Sequence, residues 1–183
     1  HPQVSGAEAQ DEGQRQGVSA PLILASASPR RRALLRAAGF VFEVHPAQVD
    51  EGCEDACEPP ELVRDLAACK ALEVWSRFPQ SWVLGADTLV ALDGEVLGKP
   101  CDRDEAEAML RALSGRQHEV FTAVALCGPE GRYEEFVERS RVAFRALADD
   151  ELESYLAVEA EWADKAGGYG IQGPAGAFVA ACE

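Results

Sequence analysis

Leu22-Ile-Leu-Ala-Ser-Ala-Ser-Pro-Arg-Arg-Arg32 is the stretch on which the reading of this chain turns. Its apolar residues run into a small polar turn, and a proline then opens a segment that carries arginines at 30, 31 and 32. Ser28 is a good helix N-cap, and Pro29 suits the first helical position, where no N–H is needed. The stretch therefore predicts strand, tight turn and helix, with Ser26 and Ser28 on the turn. A helix N-terminus presents unpaired N–H groups and a partial positive charge, which suits a phosphate and disfavours cations. Arg30, Arg31 and Arg32 at that end fit an anionic ligand that offsets the repulsion. They fit equally a capped amphipathic helix with a solvated charge cluster, and the stretch alone leaves both readings open.

The 183 residues suit one large domain or two lobes sharing a core. A hydrophobic share of 47% with 27% charged residues is that of a soluble globular protein. No apolar run approaches the roughly 20 residues of a membrane span. Seventeen Lys and Arg against 32 Asp and Glu leave a formal net charge of −15. That balance argues against a nucleic-acid polymer or an anionic membrane as partner, but a few local cations can still hold a small phosphorylated ligand. Six cysteines in a chain of this length are not a mini-protein disulfide framework. Cys53 and Cys57 lack the histidine or further cysteines of a zinc site, so free thiols in a reducing cytoplasm are expected. Residues 1 to 20 are poor in apolar side chains and read as a disordered tail without an intact signal peptide, which leaves a domain over 21 to 183.

From the opening unit outward, residues 21 to 25 predict a strand and 29 to 38 a helix. Leu34, Leu35 and Ala38 form the helix's apolar face, and Gly39 stops it. Phe40, Phe42 and Val44 alternate as a second strand. An acidic loop follows, and Pro59-Pro60 starts a long helix to about Phe78. Its apolar stripe holds Val63, Leu66, Ala67 and Val74. Lys70 falls on the same stripe, either snorkelling from its rim or pointing into a cleft toward an anion. Trp82 to Leu92 reads as a buried strand interrupted by Gly85 and Asp87, and Asp93-Gly94 as a type I′ hairpin. Asp102 with Glu105 is a capping-box-like start for the next helix. Val120, Thr122, Val124 and Leu126 alternate in a strand, another runs from about 133 to 146, and Asp149 caps a helix. A glycine-dense loop from Asp164 to Gly173 precedes a short apolar strand from Ala177 to Ala181. Strands and helices mix without strict alternation, so the fold class is α/β with a mixed sheet.

Asp87 is the leading chemical candidate, because aspartate is rarely buried in an apolar strand unless it is paired or used. Glu51 taken alone is one of many loop acids. Meeting Asp87 in a cleft, it would complete an oxygen site for Mg²⁺, which takes carboxylates together with substrate phosphates. Lys70, Lys99, Arg30 and Arg31 could then neutralise a polyphosphate, although Lys99 also reads as an ordinary turn lysine. There is no Walker A pattern, no dinucleotide fingerprint in context and no Ser-His-Asp logic around the three histidines. The loop glycines could admit a planar base, and Gln172 offers it both a donor and an acceptor. A plain surface loop is the competing account.

Taken together, Ser26-Ala-Ser-Pro-Arg-Arg31, Asp50-Glu51, Lys70-Ala71, Gly85-Ala-Asp-Thr88, Gly98-Lys-Pro100, Ser114-Gly-Arg116 with His118 and Thr122, and Asp164-Lys-Ala-Gly-Gly-Tyr-Gly-Ile-Gln-Gly173 resemble the Maf family of nucleoside triphosphate pyrophosphatases. The resemblance covers nearly all of residues 21 to 181, and its specificity lies in the joint order and spacing. It implies an elongated mixed β-sheet flanked by helices with a central cleft, like that of the inosine triphosphatases. It also implies hydrolysis of a nucleoside triphosphate to the monophosphate and pyrophosphate. Asp87 would be the proton acceptor that activates water, and Glu51 would help it hold Mg²⁺ or another divalent ion such as Mn²⁺. Ser26, Arg31, Lys70 and Lys99 would bind phosphates. Arg30, Thr88 and Gln172 match positions linked to substrate choice in the subgroup that prefers dTTP and UTP. A cytoplasmic homodimer is implied as well. The family continues past the last strand here with a further strand and helix. Their absence keeps a nucleotide-binding module without turnover as the alternative.

Overall fold

The computed structural model describes residues 20–49 and 58–183. The expected tail (Ala20 apart), Asp50, Glu51, Cys53 and Cys57 lie outside the described residues. In chain order the elements are β1 (Leu22–Leu24), α1 (Pro29–Ala37), β2 (Glu43–Val44), α2 (Pro59–Arg77), β3 (Trp82–Leu92), β4 (Glu95–Leu97), α3 (Arg103–Leu113), β5 (Gln117–Gly128), β6 (Arg132–Phe144), α4 (Asp149–Leu156) and β7 (Val179–Cys182). The strands form one mixed sheet in the order β2-β1-β3-β5-β6-β7, with β4 paired to β3. β1 runs parallel to β2 and β3, and the remaining pairings are antiparallel. The α/β class with a mixed sheet is as expected. Among the described residues no helix is long and apolar enough to cross a membrane.

The position of α2 is set by a glycine. A Cβ on Gly85 would lie 2.4 Å from the Ala67 carbonyl oxygen and 2.6 Å from the Ala71 nitrogen. Both are backbone atoms that no rotamer change can move, so only glycine lets α2 lie this close to β3. Gly85 and Asp87 do not interrupt the strand. They share its α2-facing side, and the ladder to β5 runs unbroken from Val83 to Ala91. Beneath α2, the core gathers Val63, Leu66, Ala67 and Ala71 with Leu89, Ala91, Phe121, Ala123, Ala125 and Cys127. A second core on the other side joins Val90 and Leu92 to α3, α4 and the aromatic residues Phe144, Tyr155, Trp162, Tyr169 and Phe178.

Several local expectations change. α1 buries none of its residues, and Leu34 is 63% exposed, so Leu34, Leu35 and Ala38 are not a core-facing stripe. β2 is reduced to Glu43–Val44, because only these residues reach a ladder partner, on β1. The alternating set in β5 does mark a strand, but the fully buried side is the intervening one, Phe121, Ala123, Ala125 and Cys127, pressed against α2. Asp149 does not cap α4. Ala148 occupies the cap, and its N–H donates to Glu151 Oε2 at 3.0 Å. In α3, Asp102 Oδ1 accepts from the Glu105 N–H at 2.8 Å, while Glu105 Oε2 reaches back to the Cys101 N–H rather than to that of Asp102. The hairpin at Asp93-Gly94 is as read, with φ of 55° and 87°. The four described cysteines, Cys69, Cys101, Cys127 and Cys182, are free thiols.

Candidate active site

A cleft of about 680 Å³ opens between the turn after β1, the cleft side of β3 and β5, and the loop from Asp164 to Gln172. It collects Ser26, Arg30, Arg31, Lys70, Asp87, Thr88, Lys99 and Gln172. These are all the candidate side chains except Glu51, which lies outside the described residues.

At the floor, Lys70 and Asp87 are 8% and 9% exposed, and Lys70 Nζ donates to Asp87 Oδ1 at 2.6 Å. Lys70 therefore does not snorkel from the rim: it is buried against Asp87 and lines the cleft. A buried charge persists only when paired and hydrogen-bonded, and each of these satisfies the other. The close α2–β3 approach at Gly85 brings them together. One helical turn separates Ala67 from Lys70, and one strand period separates Gly85 from Asp87.

The opening turn forms the second wall. Ser26 is buried, and its Oγ accepts from the Ser28 N–H at 3.2 Å, while Ser28 Oγ caps α1 through the Arg31 N–H at 3.4 Å. Arg31 does not splay into solvent. Its Nη1 donates to the Ala86 carbonyl at 2.8 Å and to Ser26 Oγ at 3.2 Å, and Nη2 to Thr88 Oγ1 at 3.4 Å. Thr88 Oγ1 in turn lies 3.2 Å from Thr122 Oγ1 on β5. The guanidinium thus ties the α1 N-terminus to the middle strands of the sheet.

The third wall is the glycine-dense loop, which is no plain surface loop, for Lys165, Gly167, Gly168 and Tyr169 are buried. Gly167 and Gly168 have φ of 67° and 71°. A Cβ on Gly167 would sit 3.1 Å from Val90, so this glycine serves close packing on β3 rather than an approach to a base. The Gly167 N–H donates to the Gly98 carbonyl at 2.9 Å, which sets the turn carrying Lys99 against this wall. From beneath, Tyr155 OH donates to the Gly168 carbonyl at 3.2 Å, and the Tyr169 hydroxyl lies 2.7 Å from His118 Nε2. His118 is 2% exposed, and burial lowers its pKa to about 4, so it stands neutral here. Burial likewise pushes the Tyr169 hydroxyl well above its ordinary value.

Asp164 and Lys165 are cleft residues that open the quoted glycine-dense motif but to which the sequence assigned no role. Lys165 Nζ donates to Asp164 Oδ1 at 2.6 Å, and Arg30 Nη1 lies 3.7 Å from Asp164 Oδ2. Burial opposes ionisation of Asp164, but the Lys165 hydrogen bond and charge, with Arg30, outweigh it and hold the carboxyl below its usual range. The signal in the sequence was a charged pair directly ahead of a glycine run, inside that motif. Among the described residues no cluster of three metal-ligating side chains exists. The donor set still fits Mg²⁺, because one or two carboxylates with substrate oxygens are its ordinary complement and Asp87 lies on the cleft floor.

The family described as Maf-like protein matches residues 21–183. The chain belongs to the Maf family. Curated relatives include the dTTP/UTP pyrophosphatase of Pyrococcus abyssi, 49% identical over 158 residues that cover 86% of this chain and 82% of the relative. The dTTP/UTP pyrophosphatase of Symbiobacterium thermophilum is 52% identical over 161 residues, covering 87% and 81%. Among solved structures, the nucleoside-triphosphatase / dITP/XTP pyrophosphatase of Mycobacterium abscessus aligns at a TM-score of 0.48 and 21% identity, over 69% of this chain and 75% of its own. Within a Maf chain the buried Lys70–Asp87 pair and the Arg31-braced turn are thus two walls of one cleft.

Proposed function

We propose that this cleft hydrolyses nucleoside triphosphates, dTTP and UTP foremost, to the monophosphate and pyrophosphate. The observation that carries the reading is the buried Lys70–Asp87 pair on the floor of a cleft whose facing wall is a capped helix N-terminus with Arg31. The curated relatives, named dTTP/UTP pyrophosphatases at about half identity, support it.

Asp87 orients a water toward the α phosphorus and accepts its proton. The water oxygen bonds to that phosphorus, the bridge to the β phosphorus breaks, and pyrophosphate leaves with the electron pair. Lys70 holds the Asp87 carboxylate in place through its 2.6 Å hydrogen bond and presents a positive charge to the polyphosphate. Ser26, Arg31 and Lys99 bind phosphate oxygens, and donors already fixed before substrate arrives stabilise developing charge at little reorganisation cost. Mg²⁺, or Mn²⁺ in its place, held by Asp87 with Glu51, would supply further charge neutralisation on the phosphates. Arg30, Thr88 and Gln172 select the base and sugar. We place the enzyme in the cytoplasm, a setting its free thiols suit, and expect a homodimer with no membrane or nucleic-acid partner.

Incubation with Mg²⁺ and a panel of nucleoside triphosphates tests the reading. Pyrophosphate release, fastest with dTTP and UTP, is expected. Release of orthophosphate instead, or no turnover with any nucleotide, would overturn it.

A further inference from the structure

Arg30 and Arg31 are neighbours in the first turn of α1, yet they diverge. Arg31 turns inward to Ser26, the Ala86 carbonyl and Thr88. Arg30 points to the opposite wall, where Asp164 meets it at 3.7 Å. Successive helical residues project about 100° apart, which permits the divergence but does not fix where the second guanidinium ends. Asp164 is itself unexpected, because a carboxylate on the wall of a polyphosphate site repels the substrate unless its charge is neutralised. Here it is neutralised from two sides. Lys165 donates to its Oδ1 at 2.6 Å and also to the Ala160 carbonyl. The Lys165 stem is pressed against the loop, since a Cβ on Gly170 would lie 3.1 Å from its Cδ and Cε. Lys165 is 8% exposed, so Asp164 is held from behind while its second oxygen faces Arg30.

We propose that Asp164 is a positioning residue that determines specificity: it keeps the Arg30 guanidinium on the glycine-rich wall beside the base end of the cleft and away from the phosphate-binding side chains around Arg31. The proposal rests on the pyrophosphatase reading for its substrate. The pair is half open to solvent and contributes little to stability. Its effect is on where one cation sits, and with it on which base is accepted.

The test compares kcat and KM for UTP and CTP in the full chain, Asp164→Asn, Asp164→Glu, Arg30→Gln and the Asp164→Asn/Arg30→Gln double variant. Asp164→Asn should lower the UTP-over-CTP ratio of kcat/KM by about tenfold, mainly through KM, with partial recovery in Asp164→Glu. In the Arg30→Gln background the same change should do nothing further, because the two act as one unit. Unchanged selectivity, an equal loss on both nucleotides, or a loss that adds in full to that of Arg30→Gln would overturn the proposal. NMR of the Arg30 guanidinium without nucleotide reads the pairing apart from turnover. Its resonance should shift in Asp164→Asn, and an unmoved resonance sinks the pairing. A shifted resonance in a protein that releases no pyrophosphate would break the enzymatic reading and leave the pairing standing.

Discussion

Two helices flank the cleft, and they are held in opposite ways. α2 buries Pro59, Val63, Leu66, Ala67, Lys70, Ala71 and Val74, and it lies on β3 at a distance only Gly85 allows. α1 buries nothing, carries arginines at 30, 31, 32 and 36, and is fastened by polar contacts at its N-terminus. On the proposed function, the difference teaches that the pair assigned to proton transfer rests on packed elements, whereas the two cleft arginines of α1 rest on a polar attachment. Asp87 and Lys70 sit where dense packing keeps atoms in place. Arg30 and Arg31 sit instead on α1, which is tied to the sheet by hydrogen bonds at its N-terminus.

The sharpest break of this comparison is Asp87→Asn. If Asp87 accepts the proton as proposed, the change should cut kcat by about a thousandfold, measured by pyrophosphate release, and calorimetry should show a lowered thermal midpoint because buried Lys70 loses its charge-paired hydrogen bond to Asp87. An active Asp87→Asn protein would remove the floor of the cleft from the chemistry. Next in size is a matched pair of truncations. Leu66→Ala on α2 should cost about 2–3 kcal/mol in urea unfolding, and Leu34→Ala on α1 within about 0.5 kcal/mol. Equal costs would mean that α1 is packed after all. The smallest effect is a pH dependence from the third wall. His118 has a folded pKa of about 4 against 6.5 in the unfolded chain, so between those values only the unfolded chain takes up the proton. The stabilisation is full above about pH 6.5 and is lost as the pH falls toward about 4. His118→Gln should flatten this slope in urea midpoints measured from pH 7 to pH 4.5.

Much of this was legible in advance for identifiable reasons. The strand–turn–helix at Leu22 to Arg32 is local chemistry: a capping serine, a proline with no N–H to lose, and a short apolar run. The long α2 stripe and the Asp93-Gly94 turn are likewise written in neighbouring residues. The misread face of α1 and the unassigned buried face of β5 have one cause. Periodicity shows that a segment has two sides but not which side meets a neighbour, and for β5 the choice fell to α2, some fifty residues earlier in the chain. The Arg30–Asp164 contact escaped because it joins segments more than 130 positions apart, and no spacing rule reaches that far.

By itself, the sequence determined the types of element, the mixed α/β class, the family and most of the charged side chains that line the cleft. Those follow from short-range preferences and from motifs whose order is preserved along the chain. Only the tertiary structure decided that Lys70 meets Asp87 at 2.6 Å, that Arg31 braces β3 and that Arg30 is drawn to the far wall. Each of these depends on how closely two distant backbones can approach. In the case that matters most, α2 over β3, that approach is set by the missing side chain of Gly85.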